Sequence, residues 1–172
     1  MQSVLATIKR EHEGLAAVLH VLWVLLEDVR KHGVEPDFKL FATILYYIAA
    51  FTQRFHHPKE DDYLFKLLLS RTDRADAVID ELKAEHARGP ELVGGLERAL
   101  VHYQGGSPIG LEDFARLVER YTAFILEHMR AGRLGDDTSF RPTDKEAATT
   151  WPQRPPRLMP MWMQAIPKDR LR

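Results

Sequence analysis

The stretch RFHHPKEDDYLF, residues 54–65, places His56 and Glu60 four residues apart. In a helix that spacing stacks two side chains on one face. Read alone, the pair is a polar patch on a helix as readily as half of a metal site. Which it is depends on whether other parts of the chain send matching ligands to the same place.

Working outward from it, the chain divides into four helical segments and a tail. The first runs from about Ser3 to His32, with Gly33 well placed to end it. Its apolar positions, Leu5, Ile8, Leu15, Leu19, Leu22, Leu26 and Val29, follow a three-four alternation in which one position is His12. The second runs from Pro36 or Asp37 to Leu69, with Phe41, Leu45, Ile48, Phe55, Leu64 and Leu67 among its apolar residues. The third begins near Thr72-Asp73, a good N-cap region, and ends near Tyr103; its stripe is Ala75, Ile79, Leu82, His86, Gly89, Val93, Leu96 and Leu100. The fourth starts near Pro108 and carries Phe114, Val118, Tyr121, Ile125 and His128 on one face. Long segments joined by short Gly/Pro-containing turns predict an all-α, antiparallel up-down four-helix bundle over residues 1–131.

Residues 132–172 read as an irregular C-terminal tail. It holds six of the ten prolines, two of the three tryptophans and three of the five methionines. A Pro-rich stretch of this kind need not pack as a core, and LMPMWMQ offers a surface for the bundle, a protein partner or a second copy.

Composition narrows the chemistry. The net charge of −1 gives no electrostatic argument for nucleic acid or an anionic membrane as partner. There are no cysteines, which excludes disulfides, thiolate metal sites and cysteine nucleophiles. The N-terminus becomes charged too early for a signal-peptide core, and no apolar run approaches a membrane span, so a cytoplasmic protein is expected.

His12, His56, His86 and His128 come one from each helix, each on or beside the core-facing stripe. A polar residue in a buried stripe is costly unless it is hydrogen-bonded or bound to something. Counted from neighbouring helix ends, with ~1.5 Å of rise per residue, the four histidines and Glu60 fall within about one turn of the same height. Imidazole and carboxylate without thiolate suit iron, manganese or zinc, and bundle cores are where carboxylate-bridged di-metal sites are built.

At these residues the chain resembles the hemerythrin-like (HHE cation-binding) domain family. The resemblance rests on R-E-H-x-x-L at Arg10–Leu15, H-H-P-K-E-D-x-Y-L-F at His56–Phe65, A-E-H at Ala84–His86 and E-H-M-R at Glu127–Arg130. It implies a non-haem di-iron centre that binds O2, senses oxygen or iron, or responds to nitric oxide and oxidative stress. His12, His56, Glu60, His86 and His128 carry over as iron ligands, with Glu60 as the bridge. Their second ring nitrogens need acceptors, from Glu side chains or backbone carbonyls.

Two departures bear on how much metal the site holds. The family pattern places a carboxylate four residues after the last-helix histidine, where this chain has Gly132, so two irons are implied by the resemblance but one follows if that loss is not compensated. Family members with two histidines on the third helix space them four apart, where this chain has Pro90. The pattern stops abruptly at Ala131, which points to a changed reading frame or a recombined C-terminus; a family-like continuation in an alternate frame of the gene is the test. Zinc fits the same donors and generally outcompetes ferrous iron on intrinsic affinity.

His57, about 100° round the helix from His56, is expected beside the site or at the surface. Pro58 and Pro90 are expected to distort their helices, Asp61 and Asp62 to form a solvated face, and Tyr63 and Tyr121 to lie on the core side. His32 is about 30 Å from His12 along one helix and cannot share the site. No nucleophile, general acid or substrate pocket stands out, so a dedicated catalyst is not the leading reading. Two rivals stand beside it: a metal-depleted bundle whose tail contacts a partner, and an oxidoreductase or peroxidase using an open iron position.

Overall fold

The computed structural model describes residues 2–132; the C-terminal tail lies outside the described residues. Four helical lengths account for nearly all of them, and no strand occurs among the described residues. Helix α1 spans Gln2–His32. It ends where Gly33 adopts φ 65°, a conformation that costs a side chain nothing only in glycine, and the Val34 N–H turns back to the Asp28 carbonyl.

Helix α2 starts at Phe38, where the Asp37 carboxylate accepts from the Leu40 N–H at 2.9 Å. It continues to Leu69 in five pieces: Phe38–Phe51, Thr52–His56, His57–Lys59, Glu60–Leu64 and Phe65–Leu69. The second and fourth are wide π-turns, closed by hydrogen bonds from His57 N–H to the Thr52 carbonyl and from Phe65 N–H to the Glu60 carbonyl. Pro58 sits between them. The distortion expected there takes this form: the wider turn changes how the carbonyls before Pro58 are used, and the helix carries on without a break.

A consequence shows in the burial pattern. Ile48, Thr52, His56, Glu60 and Leu64 are all buried, at strict four-residue intervals. An α-helix of about 3.6 residues per turn would swing such a series off the core face within two or three turns. The wide turns bring the local average nearer four, so one edge of α2 stays aligned through the site. Phe55 is left pointing outward, 57 % exposed.

Thr72 caps the next helix, accepting from the Arg74 N–H at 3.2 Å, and a single 3-10 turn, Asp73–Ala75, leads into α3, Asp76–Gln104. Pro90 lies within α3 and does not break it; the residue is exposed, on the side where solvent-facing carbonyls are free to tilt outward. Helix α4 spans Gly110–Gly132. At its first residue a side chain would collide with α3, since a Cβ on Gly110 would lie 2.6 Å from the Tyr103 Cα.

Helix α1 packs on α2 and α4, and α3 packs on the same two, so the helices form a ring around a shared core. The core has two apolar parts. The larger includes Leu19, Leu22, Leu26, Phe41, Ile48, Leu96, Phe114 and Val118; the smaller is Ile8, Leu64, Phe65, Ile79 and Leu82. Between them lies a layer of buried polar side chains. None of the described helices is long and apolar enough to cross a membrane.

Candidate metal centre

Each helix sends one histidine into that layer. His12 falls between Ile8 and Leu15, His56 beyond Ile48, His86 beyond Leu82, and His128 beyond Ile125; all four are buried, as is Glu60 at 2 % exposure. Their inner nitrogens converge. His12 Nε2 and His56 Nε2 are 3.0 Å apart, and His86 Nε2 and His128 Nε2 are 3.3 Å apart. Glu60 lies between the two pairs: Oε1 is 3.5 Å from His12 Nε2, and Oε2 is 3.6, 3.1 and 3.7 Å from the Nε2 atoms of His56, His86 and His128.

The outer nitrogens explain why this is a demanding arrangement. His56 Nδ1 faces Glu11 at 3.0 Å, His86 Nδ1 faces Asp61 at 3.1 Å, and His128 Nδ1 faces Glu85 at 2.8 Å. A carboxylate accepts only, so each of these Nδ1 atoms carries the ring proton and donates it. A neutral imidazole has one such proton, which leaves the three Nε2 atoms as bare lone pairs aimed at each other and at Glu60. Glu60 Oε2 accordingly finds no hydrogen bond, although it is buried and His86 Nε2 is 3.1 Å away. Lone pairs at this spacing repel unless a cation sits among them. The donor set therefore fits a metal: the inner atoms of His12, His56, Glu60 and His128 form one group within 4.8 Å of one another, and those of His57, His86 and His128 form a second.

A family model, the hemerythrin HHE cation binding domain, matches residues 3–131. The chain belongs to the hemerythrin HHE cation-binding family. A search of curated proteins found no match, and neither did one of solved structures. The match covers the four helices of this hemerythrin-like bundle and ends at Ala131, one residue before Gly132.

The braces in this hemerythrin-like domain run in sequence around the ring. Glu11 on α1 holds His56 on α2, Asp61 on α2 holds His86 on α3, and Glu85 on α3 holds His128 on α4. Lys59 pairs in turn with Glu11. The ring is open at α4 to α1: Glu127 pairs with Arg130 at the surface, and no carboxylate among the described residues reaches His12 Nδ1. Gly132 belongs to the same seam, because a Cβ there would lie 3.8 Å from His12 Cε1.

Electrostatics follow from this packing. Burial alone would raise the Glu60 carboxyl, but without a metal a proton takes the cation's place, and imidazoles of His12, His128 and His86 protonated toward it, with His56, hold it far below the usual carboxylate range. For His128 burial works against the proton, yet Glu60 and Glu85 together raise its pKa. Burial lowers His56, with Glu60 and Glu11 opposing. His57 is pushed down to about 3 by burial and by the neighbouring imidazoles of His86, His56 and His128.

Two residues stand elsewhere than the sequence suggested, Asp61 and Tyr63, while His57 takes the first of its two expected places, beside the site. His57 is buried, and its ring stacks on His86 at 3.8 Å. Asp61 is a brace and not part of a solvated face, whereas Asp62 does face solvent, paired with Lys66. Tyr63 is 66 % exposed, turned outward, while Tyr121 is buried. Sequence reasoning missed Glu11 and Glu85 altogether. Each immediately precedes a stripe histidine, but so does Glu127, which pairs with Arg130 at the surface, so that position alone did not single them out.

Proposed function

We propose that this chain is a non-haem iron protein that binds O2 or nitric oxide for redox sensing, or handles iron, from a bundle-core site in the cytoplasm. The observation that carries the reading is the convergence of the Nε2 atoms of His12, His56, His86 and His128 on the buried Glu60, with carboxylates on the outer nitrogens of three of them. His12 and His56 serve one metal position and His86 and His128 the other, with Glu60 between and His57 available to the second. Iron held there supplies an open coordination position for a diatomic ligand. The protein's own part is to fix the imidazole tautomers through Glu11, Asp61 and Glu85 and to keep bulk water out between two apolar layers.

Gly132 favours unequal occupancy, since the seam it occupies lacks both a carboxylate ligand and a brace. Anaerobic ferrous loading, desalting and metal analysis, followed by the visible spectrum in air, test the proposal. Two irons per chain with oxo-bridge absorption are expected for a full centre, and one iron for a site limited by Gly132. A chain that retains no iron is a scaffold, with its tail then the surface to examine for a protein partner or self-association. His56→Ala should abolish metal uptake while the helical fold persists.

A further inference from the structure

The wide turns of α2 align a second edge beside the buried one. Phe55, Lys59 and Tyr63 recur at four-residue intervals, each one residue before His56, Glu60 and Leu64. This edge faces α1: Lys59 pairs with Glu11, and Tyr63 and Lys59 line with Val4 and Thr7 a groove of about 220 Å³ between α1 and α2. Phe55 and Tyr63 are 57 % and 66 % exposed. A single exposed aromatic is ordinary, but two aligned along one groove leave an apolar strip uncovered among the described residues. Lys59, the charged residue of the lining, is neutralised by Glu11, so the groove suits an uncharged occupant.

Where the chain leaves the bundle indicates that occupant. Helix α4 ends at Gly132, whose Cβ would lie 3.8 Å from His12 Cε1, and Ala131 packs against the cluster of Ile8, Leu64 and Ile79. The exit is therefore at the same end of the bundle as Val4, Thr7 and Tyr63, on the other side of α1. A helix is about 10–12 Å across, a distance that about four extended residues span. Beyond Gly132 lie 40 residues, and among them Leu158-Met159-Pro160-Met161-Trp162-Met163 belongs to a stretch with no charge from Leu158 to Pro167. Methionine sulfur and the indole ring both gain from contact with aromatic rings. Pro160 restricts its part of the backbone, so less entropy is lost on docking. Tethered about 25 residues from Gly132, the segment meets the groove at an effective concentration of about millimolar, above that of a second copy in dilute solution.

We propose that residues 158–163 cross the outer face of α1 and dock in the α1–α2 groove of the same chain, covering Phe55 and Tyr63.

In the full chain carrying Trp23→Phe and Trp151→Phe, Trp162 is the single tryptophan and reports on its own surroundings. Its emission should be blue-shifted and weakly quenched by acrylamide, and should stay so on dilution. Adding Phe55→Lys and Tyr63→Lys should move the emission to the red and raise the quenching, with helicity unchanged. Ile109→Lys, similarly exposed but at the opposite end of the bundle, should do neither. Solvent-like emission from the parent chain overturns the proposal and leaves the groove to another protein. A blue shift that ignores the groove substitutions overturns the groove as the docking site, and one lost on dilution overturns it in favour of a second copy. The measurement needs no metal, so its result stands apart from the iron reading.

Discussion

The Glu85 carboxylate on α3 lies 2.8 Å from the Nδ1 of His128 on α4, so one helix determines which nitrogen its neighbour presents to the core. Glu85 is 22 % exposed and His128 6 %, so the contact is shielded from solvent on its imidazole side. Without the carboxylate, His128 is free to carry its proton on either nitrogen and to rotate. Glu85→Ala is therefore expected to weaken metal binding about 10- to 100-fold, the usual cost of losing such a partner. Competition against a chromophoric chelator measures this. An unchanged affinity would mean that the tautomer is set some other way.

The open seam makes the opposite kind of prediction. Among the described residues, a Cβ at position 132 would meet His12 Cε1 at 3.8 Å and no other atom within 4 Å, apart from its own helix backbone and chain neighbours, so a side chain there faces the site. Gly132→Glu should raise metal retained per chain, with the gain at the His12–His56 position. Metal analysis before and after a chelator wash reads it; no gain would place the limit elsewhere than at this residue.

Acid should destabilise the metal-free protein through His57. Its folded-state pKa of about 3 lies below the ordinary 6.5, so the unfolded chain takes up a proton that the folded one refuses. The stability contributed is complete above pH 6.5 and is lost as pH falls from there towards 3. His128 works in the other direction: with its pKa raised, its contribution is complete below 6.5 and fades as pH rises through the folded value. Urea midpoints of the metal-free chain should fall from pH 6.5 to 4.5, and His57→Gln should flatten that slope. Parallel slopes would remove His57 from the account.

Gly110→Ala tests the fold apart from the site. The added methyl would sit 2.6 Å from the Tyr103 Cα and 3.0 Å from its backbone nitrogen, and a helix backbone cannot move aside as a side chain does. A loss of about 1–3 kcal/mol is expected, as for other overpacked positions, with metal binding retained. Thermal melts of the metal-free protein give the comparison, and an unchanged Tm would show that α3 and α4 can part at that end.

Much of this was legible in the residues. The apolar stripes and the signals at Gly33, Asp37 and Thr72 marked the four helices, because a helix repeats its core face every three or four residues and its ends need particular side chains. The stripe histidines and Glu60 were legible for the same reason: polar residues in an apolar series stand out. Glu11, Asp61 and Glu85 did not stand out, since a carboxylate on a helix flank looks the same whether it meets water or the next helix. Telling them apart needs the rotation of neighbouring helices, which one helix's pattern does not contain. For His57 the angle from His56 left two places open, beside the site or at the surface, and the packing against His86 on α3 decides for the first.

Those wide turns tie the centre to the winding of a single helix. Over the 16 residues from Ile48 to Leu64, regular α-helical winding would accumulate about 160° of extra rotation relative to the series observed. Wound that way, α2 could not present His56 and Glu60 inward and also seat Leu64 against Ile8, Ile79 and Leu82. The donor atoms and the lower core are thus geared together, and a one-residue deletion between Thr52 and Leu64 would turn one against the other like a slipped tooth.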